Sequence, residues 1–106
     1  MDHTIANIQI LIYLSRRGCR GYLIGDNYMM TAVTDGAVRF TADCKGYLSV
    51  YAYSDVAKRV NERGLKYGLR EFDLAIDDPR AVSNEFRGEE STVSVEEGTI
   101  AVLWYR

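Results

Sequence analysis

Four carboxylates gather in one short stretch of the sequence, EFDLAIDDP. Glu71, Asp73 and Asp77 share one face if this stretch is a strand, because strand side chains alternate with period two, and Asp78 follows directly. Such oxygen ligands suit Mg²⁺, but carboxylates on the polar face of an edge strand also prevent aggregation. No glycine-spaced calcium loop surrounds them. We therefore expect a solvated face, with no metal site and no cofactor.

The other residue types that commonly do chemistry are few. His3 is the one histidine of the chain, and it lies near a terminus that we expect to be mobile, so we do not expect a Ser-His-Asp triad. Cys19 and Cys44 have no base beside them and no CxxC spacing, so we expect reduced thiols rather than nucleophiles or metal ligands. The sequence contains neither a P-loop nor a GxGxxG motif. It therefore predicts a protein that is not an enzyme.

Aromatic residues form a more distinctive pattern. The stretch KGYLSVYAYSD, residues 45–55, places Tyr47, Tyr51 and Tyr53 at alternate positions, and thus on one face of a strand. If residues 28–53 form a three-stranded meander, Tyr28 and Arg39 join the same face. These five residues, which we call the tyrosine face, are the first candidates for a binding surface.

Within this stretch, KGYLSVYAY resembles the central-strand signature of RNA-recognition-motif domains. Lys45, Gly46, Tyr47 and Val50 match that signature. Leu48, Ser49 and Ala52 depart from it, the last two at stacking positions, and the order of elements along the chain differs from that fold. The resemblance implies only that exposed aromatics on a sheet could stack bases.

Length, composition and charge narrow the class. A chain of 106 residues with 47% hydrophobic content suits one domain. Its net charge of −2 argues against a generally basic nucleic-acid binder. Residues 1–70 carry +4 and residues 71–106 carry −6, so the surface is either mixed or two-signed. IQILIYL is too short to span a membrane and lacks signal-peptide flanks, so we expect a cytoplasmic protein.

Two helices and five or six strands are predicted to position these residues. The residue patterns and the turn signals place them as follows: a helix at 2–18, strands at 28–34, 37–42 and 47–53, a second helix at 54–68, a strand at 70–78, and a C-terminal hairpin at 92–106. Asp35-Gly36 and Glu97-Gly98 are the expected hairpin turns. The last strand is apolar on both faces, which favours a central position in its sheet.

The fold class is therefore α+β: a five- to six-stranded, mainly antiparallel sheet with two helices, in a single domain at 1–106. The expected pairing collects one core face, which consists of Met29, Val33, Val38, Phe40, Leu48 and Val50. If both helices pack on that face, the tyrosine face stays open. If the first helix crosses over, the tyrosines form a second core.

The predicted function is a small, non-enzymatic protein-binding module, because tyrosines are enriched at interfaces and no catalytic set is visible. Small, acidic, tyrosine-rich chains of this kind are similar in type to phage and mobile-element inhibitors of a host enzyme, such as anti-CRISPR proteins, although no motif carries that similarity. The expected partner is a host protein or a protein–nucleic-acid complex. Homodimerisation through the apolar first helix or the tyrosine face is also expected.

A second candidate surface is acidic. Residues 85–97 could mimic nucleic-acid phosphates, and the candidates there are Glu85, Glu89, Glu90, Glu96 and Glu97. The alternative function is single-stranded nucleic-acid binding, in which Tyr47, Tyr51 and Tyr53 stack bases beside Arg39.

Overall fold

The computed structural model describes residues 2–105, which form one helix and nine strands. The elements are α1 (Asp2–Ser15), β1 (Tyr22–Ile24), β2 (Tyr28–Thr34), β3 (Ala37–Phe40), β4 (Tyr47–Ala52), β5 (Val56–Arg63), β6 (Leu69–Ala75), β7 (Asn84–Glu85), β8 (Ser91–Glu97) and β9 (Thr99–Tyr105). Within this range, no helix is both long enough and apolar enough to cross a membrane.

The strands build two antiparallel sheets that enclose a shared core. One sheet has five strands in the order β1-β2-β9-β4-β7, and the other has four in the order β3-β8-β5-β6. The prediction of mainly antiparallel pairing is confirmed, and so is the central position of the last strand. The prediction of a single five- to six-stranded sheet is wrong, because the strands divide between two sheets.

The expected hairpin turns are the places where the chain passes from one sheet to the other. On either side of Asp35-Gly36, β2 pairs with β9 while β3 pairs with β8, and Gly98 separates β8 from β9 in the same way. The two turns bind each other: Asp35 N–H donates to the Gly98 carbonyl at 3.0 Å, and Gly98 N–H donates to the Asp35 carboxylate at 2.8 Å. The predicted β2–β3 and β3–β4 ladders and the predicted C-terminal hairpin at 92–106 are therefore wrong.

The predicted core face nevertheless lies in the core. Of its six residues, Val33, Val38, Phe40, Leu48 and Val50 are buried and Met29 packs against them. The Phe40 ring meets the Trp104 and Phe86 rings edge-on, at centroid separations of 5.0 and 5.3 Å. The pattern of inward and outward residues was right although the pairing was wrong, because period-two alternation does not depend on which strand is the neighbour.

The second predicted helix is a strand. Residues 56–63 form β5, and its ladder with β6 shifts register between Ala57 and Val60, where Arg59 has a φ of +52°. A bulge adds one residue to a strand, so Ala57 and Val60 both face the core at a spacing of three. That spacing produced the helical reading of the sequence.

Helix α1 forms as expected and ends near Gly18, whose φ is +80°. It crosses to the outer face of the five-stranded sheet, where a second core cluster forms around Leu11, Met30, Ala32 and Ala101. The helix covers β1, β2 and β9. The half of this face that carries Tyr47 and Tyr51 stays exposed.

Two glycines offer a test of how closely the end of β5 approaches the start of β8 within the four-stranded sheet. Gly64 and Gly88 have nearly the same φ, +76° and +77°, but a Cβ on Gly64 would lie 2.1 Å from the Glu90 carbonyl oxygen, whereas one on Gly88 would meet open space. We expect Gly88→Ala to lower the free energy of unfolding by about 1 kcal/mol. Gly64→Ala should lower it by about 4 kcal/mol or more, because backbone must move.

Urea denaturation of both variants and the parent measures the difference. Equal losses for the two variants would show that φ alone, and not the contact with residues 90–91, demands glycine at position 64.

Candidate functional site

The side chain of Asn84 makes every hydrogen bond that a carboxamide can make. Its oxygen accepts from the backbone N–H groups of Tyr67 and Glu85, both at 2.9 Å. Its nitrogen donates to the Tyr67 carbonyl at 2.7 Å and to the Glu62 carboxyl at 3.0 Å. Asn84 is 5% exposed, so this side chain rigidly fixes the peptide groups of Tyr67.

Glu62 is the buried end of this network, with an exposed fraction of 2%. Burial raises the pKa of its carboxyl from 4.5 to about 7, and the hydrogen bond from Asn84 acts in the opposite direction. Glu62 is one of the residues that line a cavity of about 410 Å³, together with Arg63 and Arg70. Burying an ionised carboxyl without a close cation lowers the stability of the fold. The network therefore fixes the geometry of the loop at a cost in stability.

The loop that this network holds, residues 64–68, presents one aromatic ring to solvent. Lys66 N–H donates to the Glu85 carbonyl at 2.9 Å, and Leu65 forms a bridge with Phe86. The Tyr67 side chain is 60% exposed, and the Lys66 ammonium lies 5.5 Å from its ring centre. The loop therefore offers a flat aromatic surface on an immobilised backbone. We call residues 64–68 the clamped loop.

A groove of about 340 Å³ is lined by residues of β4, of β9 and of the segment that leads into β7. It opens on the outer face of the five-stranded sheet. Its lining combines aromatic, apolar and hydroxyl side chains: Tyr47, Ser49, Tyr51, Val82, Ser83, Leu103 and Tyr105. The Tyr47 and Tyr105 rings meet edge-on at 6.4 Å. Such a lining suits a small, largely flat organic ligand, and we call it the aromatic groove.

Ser83 and Asn84 join the two surfaces because they are consecutive. Ser83 has a φ of +63°, a conformation that costs a non-glycine residue about 1 kcal/mol or more and often occurs at functional sites. Its N–H donates to the Ser49 hydroxyl at 2.9 Å. This turn directs Ser83 into the aromatic groove and lets Asn84 reach the clamped loop.

The structure separates the five residues of the tyrosine face. Tyr47 and Tyr51 line the aromatic groove, while Tyr53 packs partly buried against the cluster under α1. Tyr28 borders a different cavity beside α1. Arg39 lies on β3, in the other sheet. Only Tyr47 and Tyr51 of these five residues lie in one groove. A joint role in binding therefore stays a prediction for these two tyrosines.

The acidic candidates are mostly engaged in ion pairs. Glu85, Glu89, Glu96 and Glu97 pair with Lys66, Arg87, Arg59 and Lys58, at distances of 3.5, 3.5, 2.5 and 4.0 Å respectively. Glu90 makes no ion pair among the described residues and borders a groove on the four-stranded sheet. The carboxylates of the acidic segment therefore do not form one continuous negative surface.

Two of the three aspartates of EFDLAIDDP also have separate partners. Asp73 accepts the backbone N–H of Arg59 at 3.1 Å, and Asp78 binds the Arg80 guanidinium at 2.9 Å. Within residues 2–105, no three His, Cys, Asp or Glu side chains converge as metal ligands would.

The residues that matter most here were missed from the sequence. Asn84 lies between the predicted strand at 70–78 and the predicted hairpin at 92–106, and Glu62 and Tyr67 fell in the predicted second helix at 54–68. Nothing in the spacing of Glu62, Tyr67 and Asn84 reveals their contact, because it depends on two sheets meeting. One signal was available. If β5 is read as a strand, Glu62 falls at an inward position, where a charged residue is unusual.

The raised pKa of Glu62 predicts a pH-dependent stability. Below pH 4.5 the carboxyl is protonated in both the folded and the unfolded chain. As the pH rises to about 7, the unfolded chain releases this proton and the folded chain retains it, so the contribution of Glu62 to folding is lost through this range. The expected loss is about 3 kcal/mol in the free energy of unfolding.

Glu62→Gln stays neutral and keeps an acceptor for Asn84. We expect this variant to be more stable than the parent at pH 8 and nearly equal to it at pH 4.5, measured by urea unfolding at four pH values between these limits. Glu90→Gln, an exposed carboxyl outside the network, is the matched control. Parallel stability curves for Glu62→Gln and the parent would contradict the assignment.

Solved structures share this fold over nearly the whole chain. The thiamine pyrophosphokinase of Bacillus subtilis has a TM-score of 0.89 at 23% identity and is matched over 98% of this chain and 50% of its own. A thiamin pyrophosphokinase family protein of Enterococcus faecalis has a TM-score of 0.75 at 26% identity, over 99% and 50% of the two chains. The yeast enzyme has a TM-score of 0.75 at 16% identity, over 99% and 36%. The chain thus spans about half the length of the first two structures.

No curated protein matches the chain by sequence, but a family model does. The family described as thiamin pyrophosphokinase, vitamin B1 binding domain, matches residues 37–100, which is more than half of the chain. The prediction of a phage-type inhibitor is therefore wrong, as is the alternative of single-stranded nucleic-acid binding. The prediction of a non-enzymatic chain is wrong because the family and the matched structures are named for an enzyme.

The expected host-protein or protein–nucleic-acid partner is overturned by the same finding, since the family description names a small molecule. Three of the tyrosines that suggested a protein interface, Tyr47, Tyr51 and Tyr53, lie within the residues that the family model matches. This chain belongs to the thiamin pyrophosphokinase vitamin B1 binding domain family.

Proposed function

We propose that this chain binds thiamine and presents it as the acceptor of a diphosphate group. The observation that carries the proposal is the clamped loop inside the family match at residues 37–100, where a buried network immobilises the backbone of a 60% exposed tyrosine, Tyr67. Preorganised aromatic surfaces lower the entropy cost of binding a flat ligand.

The chemistry of thiamine suits these residues. Thiamine joins an aminopyrimidine ring to a positively charged thiazolium ring, which carries a hydroxyethyl arm. The face of Tyr67 can stack on either ring and attract the thiazolium charge. In the aromatic groove, Tyr47 and Tyr51 offer a second aromatic surface, and the Ser83 hydroxyl offers a polar contact.

Diphosphate transfer to the hydroxyethyl arm is proposed as the activity of the assembly in which this chain takes part. In that reaction the domain holds the acceptor in a fixed orientation, which lowers the entropic part of the barrier. The matched Bacillus subtilis pyrophosphokinase is about twice as long as this chain, so we assign to this chain the acceptor side alone.

We further infer that residues 1–106 act as one unit in the cytoplasm. Val102 on β9 lies in the shared core, and its neighbour Ala101 lies in the cluster under α1. One strand therefore contributes to both hydrophobic clusters. The free thiols Cys19 and Cys44 suit a reducing compartment.

Calorimetric titration with thiamine tests the proposal. We expect Tyr67→Ala to raise the dissociation constant about 5- to 30-fold, which corresponds to about 1–2 kcal/mol of lost stacking and cation–π attraction. Tyr67→Phe should retain most of the affinity because the ring remains. Tyr51→Ala measures the share contributed by the aromatic groove.

The matched control is Tyr13→Ala, because Tyr13 on α1 is similarly exposed, at 55%, but lies outside the family match. An equal effect of the Tyr13 and Tyr67 substitutions, or no heat of binding with millimolar thiamine, would contradict the proposal.

A further inference from the structure

The outer face of the four-stranded sheet places two arginines on either side of a threonine. Thr92 on β8 pairs with Arg39 on β3 at one side and with Arg63 on β5 at the other. Residues directly opposite in antiparallel strands point to the same face. The two arginine Cα atoms are therefore about 10 Å apart, two strand spacings, and both guanidinium groups can reach the space above Thr92.

The next row of the same face is polar and uncharged. Ser94 on β8 pairs with Ala37 and with Asn61. Asn61 is held in place, because its oxygen accepts the Glu71 N–H at 2.9 Å and its nitrogen donates to the Arg59 carbonyl at 3.2 Å. The face therefore combines two cations with hydroxyl and amide groups on rigid strands.

A groove of about 510 Å³ lies over these two rows, bordered by Arg39, Asn61, Arg63, Glu90, Thr92 and Ser94. We call it the arginine groove. Its one carboxylate, that of Glu90, leaves a net charge of +1 in a chain whose total is −2. The positive charge is thus a local feature of this surface.

Arg39 and Arg63 differ from the other two basic residues of β5, Lys58 and Arg59. Arg59 and Lys58 pair with Glu96 and Glu97 at 2.5 and 4.0 Å. Among residues 2–105, neither Arg39 nor Arg63 has a carboxylate within 4.0 Å. Their guanidinium groups are exposed and available, and each can donate two parallel hydrogen bonds to a phosphate.

We propose that the arginine groove binds the diphosphate group of a small ligand. Arg39 and Arg63 each hold one phosphate by a bidentate contact, and Thr92 donates its hydroxyl between them. The span between the arginines fits two linked phosphates better than one. This site lies on the opposite sheet from the aromatic groove and does not depend on the proposed thiamine site.

Titration with inorganic pyrophosphate, at 50 mM salt and followed by amide NMR shifts, tests the site. We expect shifts at Thr92 and Ser94, and at least tenfold weaker binding by Arg39→Gln and by Arg63→Gln. Substitution by Lys at either position should weaken binding less, because Lys keeps the positive charge although it lacks the bidentate guanidinium geometry. Glu90→Gln should bind about two- to threefold more tightly, since a repelling carboxylate is gone.

Arg17→Gln is the control, because Arg17 is an exposed arginine on the far side of the molecule, stacked on Tyr13 at 3.6 Å. All substituted arginines are exposed, and unchanged melting temperatures would verify their folding. ADP serves as a second ligand: binding equal to pyrophosphate identifies a diphosphate ester as acceptable, and binding of pyrophosphate alone identifies the free ion.

Three results would overturn the proposal. The first is no shift at Thr92 or Ser94 with 10 mM pyrophosphate, and the second is unchanged binding by the Arg39→Gln, Arg63→Gln double variant. The third is orthophosphate or a single-stranded oligonucleotide binding as tightly as pyrophosphate. None of these results bears on thiamine binding, which is measured with a different ligand and different variants.

Discussion

The carboxamide of Asn84 holds three parts of the chain at fixed distances. It belongs to the five-stranded sheet, donates to Glu62 in the four-stranded sheet and binds both peptide groups of Tyr67. Removing a buried, fully bonded amide leaves several polar groups without partners, and each costs about 1–3 kcal/mol. The position of the clamped loop, and with it the exposed Tyr67 ring, depends on this one side chain.

The direction of the side chains in β2, β3 and β4 was readable from the sequence, but the neighbour of each of these strands was not. Val38 and Val50 were assigned to the core by alternation, and both lie there. Their strands were expected to be linked in one meander, yet they belong to opposite sheets. A hairpin and a sheet-to-sheet crossing require the same turn residues and the same alternation, so local patterns do not distinguish them.

Two kinds of irregularity account for the remaining errors. The bulge at Arg59 gave β5 a helix-like spacing, and the network around Asn84 used polar residues that a local reading assigns to solvent. The candidate site was the feature least predictable from the sequence, because it is assembled from segments at positions 47–51, 64–68 and 82–85. The aromatic composition of the surface was visible, but the class of ligand was inferred wrongly from it, since tyrosines serve protein interfaces and small-ligand sites alike.

The central place of β9 also governs how the chain can acquire its fold. This strand pairs with β2 and β4, which precede it by some 50 to 70 residues, and it is the last of the nine strands to leave a ribosome. Until it arrives, β2 and β4 have open edges and the five-stranded sheet has no middle. Such distant pairing slows folding and prolongs the exposure of apolar edges. The nascent chain is therefore most prone to aggregate before residues 99–105 have been made.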